Sequence, residues 1–132
     1  MLFRSPFAIK FYKKNLHKRE KTKIGIYQYK SRFNFCFNEK KLLEDEVMRI
    51  AIYVSNKQSL LSEASRKSIE FSDFFNSPIH PLLENEWSHV EYKKGSCPNA
   101  ENAAKKIVTF SIVNGLSSKE IEKYLFFLQN NI

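Results

Sequence analysis

The sequence predicts one α/β (α+β) domain, a small, mostly antiparallel sheet covered by helices. Three observations predict it. A β-branched-rich run, Val47 to Val54, is followed by a helix start and a second short apolar run, so strand, helix and strand arrive in order and layered packing follows. Pro98 opens a further helix that leads into another β-branched run at Val108. Ser117 opens a final amphipathic helix. The chain has 132 residues, 42% of them apolar, which is enough for one core and too few for two ordinary domains.

Taken in order, Pro6 suits the first turn of a helix running to about Lys21. Phe7, Ala8, Phe11, Tyr12 and Leu16 fall near one face, and Lys and Arg fill most of the other. Ile24 to Tyr29 and Phe33 to Phe37 both alternate, so they predict a hairpin turned at Lys30-Ser31-Arg32. After a charged joint, Val47 to Val54 predicts a strand, and Ser55-Asn56 caps a helix over 56–66 carrying Leu60, Leu61 and Ala64. Ile69 to Phe71 predicts a short strand. Residues 72–95 read as irregular, punctuated by Pro78, Pro81 and Gly95, and a loop of that length in a small domain is often functional.

Ala100, Ala103, Ala104 and Ile107 then place a narrow stripe on a helix over 98–106. Val108 to Ile112 predicts a strand, Asn114-Gly115 a turn, and Ser117-Ser118-Lys119-Glu120 a capping box for a helix over 117–130. Phe74, Phe75, Trp87 and Phe126-Phe127 are the aromatics placed to close the core or an interface.

The net charge of +8 sits in one segment. Residues 1–41 hold twelve Lys or Arg against Glu20 and Glu39, whereas the rest is slightly acidic. Interleaved Phe and Tyr raise weak RNA or single-stranded DNA binding as one use, and an anionic membrane surface as another. No nucleic-acid motif accompanies the charge, so a solvated helix face and lysine-guarded edges are the stronger reading. No run reaches the roughly 18 apolar residues of a membrane span. Met1 to Phe7 is too short and too soon charged for a secretory leader. Cys36 and Cys97 lack metal-type spacing and read as reduced thiols in a cytoplasmic protein.

Few residues point to chemistry. His80 lies between Pro78 and Pro81, and a stiffened loop is a good mount for a polar ligand contact. A backbone-bonded loop histidine is the competing reading. Cys97 precedes Pro98 at a helix start, where a thiolate is stabilised, yet no His or second Cys accompanies it. Glu70 with Asp73, and Glu84 with Glu86, read as solvated acids rather than catalytic pairs.

Four blocks carry a family resemblance. Arg49-Ile50-Ala51-Ile52-Tyr53-Val54-Ser55-Asn56-Lys57, Ile69 to Pro81, Tyr92-Lys93-Lys94-Gly95-Ser96-Cys97-Pro98-Asn99-Ala100-Glu101 and Thr109 to Ser117 follow one another in the order and spacing of the C-terminal small domain of DegT-type (DegT/StrS) sugar aminotransferases. The third resembles that family's "cPnAe" signature. The resemblance covers about residues 47–132 and divides the chain there, with 1–46, the basic helix and hairpin, matching poorly. Phe110-Ser111 and Asn114 stand where the family usually has Leu-Pro and His, and Ser72-Asp73-Phe74 where it often has Gly-Asp-Trp.

The resemblance implies a substrate-binding role for His80, Asn76 and Ser77. It implies pyridoxal phosphate as cofactor in the intact family, bound by a large domain that has no counterpart here; no catalytic, cofactor or metal residue is assigned within this chain. The expectation is a small domain or C-terminal fragment, inactive alone, acting with a separate large domain or as a homo-oligomer. The alternative is a stand-alone, non-catalytic binding or assembly module.

Overall fold

The computed structural model describes residues 6–131. In chain order it contains helix α1 (Pro6–Gln28), a 3-10 turn (Lys30–Arg32), short helix α2 (Lys41–Glu44), strand β1 (Arg49–Tyr53), helix α3 (Lys57–Arg66), a 3-10 segment (Glu84–Val90), helix α4 (Pro98–Lys106), strand β2 (Ile107–Ser111) and helix α5 (Ser118–Asn131). This is the mixed α+β class that the sequence predicts.

The sheet is two-stranded and antiparallel, with Arg49 opposite Ser111 and Tyr53 opposite Ile107. Each outer edge carries one further bridge, Phe35 to Ile52 and Ser72 to Thr109. Side chains alternate along a strand. Ile50, Ile52, Val108 and Phe110 therefore turn to one face, where all four are buried. The same core takes Ile121, Leu125 and Leu128 from α5, Leu60 and Ala64 from α3, and Ile26 from α1. Phe110 stacks on Tyr124 of α5 at 4.5 Å, and Phe71 meets both rings edge-on. Each fully buried side chain of this size stabilises the fold by about 1.5–3 kcal/mol. The opposite face carries Arg49, Ala51, Thr109 and Ser111, with Ser72 beside Thr109.

Two expected sheet elements are absent. The hairpin over Ile24–Phe37 does not form, because α1 runs on to Gln28. Arg19, Thr22, Lys23 and Ile26 are all buried at helical spacing, and that stripe overrides the alternation of Ile24 to Tyr29. Gly25 lets α5 come close: a Cβ there would lie 2.9 Å from Ile121 Cδ1. Of the second predicted strand only a hook remains, in which the Cys36 amide donates to the Ala51 carbonyl and the Tyr53 amide to that of Asn34.

The strand expected at Ile69–Phe71 shrinks to the single Ser72–Thr109 bridge. The helix before it ends late: the Ile69 amide still donates to the Ala64 carbonyl, and Ser68 turns the chain at φ 52°. The remaining elements lie within two or three residues of their predicted ends. Asn56 caps α3 by accepting from the Ser59 amide, and Glu120 accepts from the Ser117 amide while Ser117 Oγ accepts from that of Glu120.

Candidate functional site

The sequence directs attention to the loop after Phe71, and the structure shows how it is mounted. Lys57, in the first turn of α3, is buried. Its ammonium donates to the carbonyls of Ala104 at 2.8 Å and Phe75 at 3.2 Å, and it forms an ion pair with Asp73. One buried cation thus ties the loop to α3 and α4. Further along, the Ser77 hydroxyl is buried and accepts from Trp87 Nε1 at 3.0 Å and from the Ile79 amide at 3.2 Å. The loop therefore closes on Trp87, which is itself buried against Tyr92.

A second clasp follows. The Glu101 carboxylate, in the first turn of α4, accepts from the Tyr92 hydroxyl at 2.8 Å and the Gly95 amide at 2.7 Å. Those two bonds hold its pKa below the usual carboxylate value. Tyr92 is pushed up to about 12, first by desolvation and then by the Glu101 bond. The glutamate of the "cPnAe" block is thus a structural clasp for the end of the long loop.

Beyond these anchors the loop presents an exposed cluster. Phe74 and Phe75 are about half exposed, edge to face with each other at 5.1 Å. His80 stacks on Phe74 at 5.3 Å and meets Phe75 edge-on at 5.8 Å. The Arg49 guanidinium lies over the other part of the cluster, 5.8 Å from the Phe74 ring centre. The cluster therefore offers two aromatic faces, an imidazole and a cation. Such a set suits a planar or polar ring with an anionic group.

Of the three residues singled out from the sequence, Asn76 and Ser77 share a small groove beside Trp87, and His80 stands apart from it. His80 is part of the exposed cluster. Asn76 is exposed and also lines an open groove of about 420 Å³ with Lys57, Asp73, Ala104 and Lys105. Ser77 faces inward, with its hydroxyl engaged by Trp87. Arg49 and Lys57 were not found from sequence, since nothing in a strand-opening Arg or a helix-opening Lys signals their surroundings. The carboxylates read as solvated are partly engaged: Asp73 with Lys57, Glu84 with Lys94, and Glu86 with the Leu83 amide. Trp87 and Phe127 close the core, whereas Phe74, Phe75 and Phe126 remain exposed.

A pyridoxal cofactor needs a lysine amine free to bond to it. The two buried lysines do not fit that need. Lys57 is held as above, and Lys23 donates to Glu20 and to the Asp45 carbonyl. Among the described residues no group of three or more His, Cys, Asp or Glu could hold a metal ion, and no helix is long and apolar enough to cross a membrane. Cys36 is half-buried, and desolvation pushes its thiol up to about 11. Cys97 is exposed at the start of α4, where its side chain makes no capping bond.

The basic segment is not uniformly solvated. Arg19 and Lys23 are buried against the body, while Lys10, Lys13, Lys14, Lys18 and Lys21 are exposed. Beyond the buried stripe of α1, toward the helix start, Phe7, Phe11 and Tyr12 are 80%, 60% and 58% exposed.

Comparison with known proteins gives one match. The family model for the DegT/DnrJ/EryC1/StrS aminotransferase family covers residues 8–125 of the 132. It begins well before the block at Arg49 and includes most of α1. No curated protein and no solved structure matches the chain.

Proposed function

The chain belongs to the DegT/DnrJ/EryC1/StrS aminotransferase family, and we propose that it acts as the small domain of a nucleotide-sugar aminotransferase whose cofactor is held by a large domain outside these 132 residues. The observation that carries this reading is the exposed aromatic cluster near the start of α1. Over Arg19 to Ile26 the helix packs on the body, whereas nearer its start Phe7, Phe11 and Tyr12 are each more than half exposed. A contiguous exposed apolar surface of this kind marks an interaction face. The engagement of both buried lysines supports a cofactor site outside this chain. The exposed cluster of Phe74, Phe75, His80 and Arg49 then becomes one wall of a substrate pocket, with His80 and the exposed Asn76 as polar contacts and Ser77 holding the loop through Trp87. The cytoplasm is the compartment this reading assigns.

The test is complex formation. A purified large domain from a related aminotransferase is mixed with the chain and resolved by size-exclusion chromatography. Co-elution that is lost in Phe11→Glu supports the reading. Separate elution, or co-elution indifferent to Phe11→Glu, removes it. One observation favours a second reading, a stand-alone binding module: all four cluster residues belong to this chain and need no partner to meet.

A further inference from the structure

We infer that the outer face of the two-stranded sheet holds a site for a compact oxyanion, a carboxylate or phosphate group, held by Arg49 and the hydroxyl of Thr109. Residues opposite one another in an antiparallel pair share a face. Arg49 stands opposite Ser111, and Ser72 opposite Thr109. Ile50, Ile52, Val108 and Phe110 occupy the core side, so Arg49, Ser72, Thr109 and Ser111 share the other. These four line one groove of about 260 Å³, and Glu70 lines it too.

Two features in this groove are unexplained by the fold. Thr109 is 6% exposed, and its hydroxyl oxygen is buried with no hydrogen-bond partner among the described residues. Buried polar groups are nearly always bonded, so an orphan that lines a groove points to a missing ligand atom. Arg49 forms no ion pair among the described residues, and its guanidinium, resting on the Phe74 ring, lines the same groove.

A guanidinium offers only donors, and hydroxyls can donate too. The group that satisfies both is an acceptor with several lone pairs and negative charge, which is an oxyanion. Glu70 limits its size and charge. A carboxylate lining the groove repels a chain of phosphates and tolerates one compact group, so the groove does not suit nucleic acid. The site lies wholly within this chain, so it stands whether or not a large domain binds.

The experiment is a titration of the whole chain, followed by backbone amide NMR, with inorganic phosphate and separately with acetate, at constant ionic strength against chloride. Saturable shifts confined to Arg49, Ser72, Thr109 and Ser111 are expected with at least one anion, and which anion saturates identifies the source. Arg49→Met should weaken binding by about tenfold or more, as loss of a charge-assisted contact does. Thr109→Val should weaken it several-fold while leaving the unliganded chain as stable as before. Lys14→Met, on the exposed face of α1, should change nothing. Absence of saturable shifts with both anions, equal binding by Arg49→Met, or shifts spread along α1 instead of the groove would overturn the assignment.

Discussion

Replacing Lys57 by Met tests the view that one buried cation mounts the long loop. The side chain is 7% exposed, and it holds Asp73 and two carbonyls at once. Removing one member of a buried ion pair costs about 3–5 kcal/mol. Asp73 is 38% exposed and regains water, which lowers the figure. The Ala104 carbonyl lies in a buried contact and loses its donor, which costs about 1 kcal/mol or more. Together these give a loss of about 2–4 kcal/mol. For a domain of this size that lowers Tm by about 8–16 °C.

Thermal unfolding followed by circular dichroism reads the loss, and limited proteolysis between Phe71 and Leu83 reads the freed loop. Asp73→Asn should cost less, since the ammonium keeps both carbonyls, and the double variant should be no worse than Lys57→Met alone. A Lys57→Met chain within about 1 kcal/mol of the parent, with no new cleavage in the loop, would show that Lys57 does not mount the loop.

Gly115 sits at φ 73° with Lys18 so near that a Cβ would lie 2.7 Å from Lys18 Cβ. Gly115→Ala should therefore destabilise by about 1–2 kcal/mol or more in urea denaturation. Thr22 reaches the same turn: its hydroxyl accepts from the Leu116 amide at 2.6 Å, and Thr22→Val should cost about 1–3 kcal/mol by the same assay. Ser117→Ala removes the cap of α5 and should cost about 1 kcal/mol, with Ser117→Thr retaining most of it.

Glu101 carries a depressed pKa, so its contribution to stability is present above the unfolded carboxylate value and is lost as pH falls through the lower folded value. Glu101→Gln should then flatten the acid limb of the stability–pH curve. A limb as steep as the parent's would show that the clasp does not form in solution.

The elements that the sequence revealed are those with local chemical markers. Asn56 before α3, Pro98 in α4 and the Ser117–Glu120 box before α5 satisfy orphan amides by themselves, so their signals survive without tertiary context. Ile24 to Tyr29 carried no such marker. Its alternation fits a strand, and only the contact of Gly25 with Ile121 and the burial of Ile26 decide for helix. Ile69 to Phe71 failed for the opposite reason: the α3 end holds Ile69, and pairing starts at Ser72.

At the candidate site, the two prolines around His80 marked a stiff loop, yet its partners Phe74 and Arg49 come together only through the sheet. The burial of Lys57 depends on carbonyls 18 and 47 residues away, which no local pattern records.

On the proposed reading this chain completes a substrate pocket whose cofactor is held by a large domain outside these 132 residues. The most direct measurement is absorbance and transamination of the purified chain with pyridoxal phosphate, an amino donor and a keto-sugar nucleotide, alone and with the large domain of a related aminotransferase. No bound-cofactor band and no turnover are expected for the chain alone, and turnover in the mixture is expected to exceed that of the large domain by itself. A bound-cofactor band with the isolated chain, or a mixture no more active than the large domain alone, would contradict that reading.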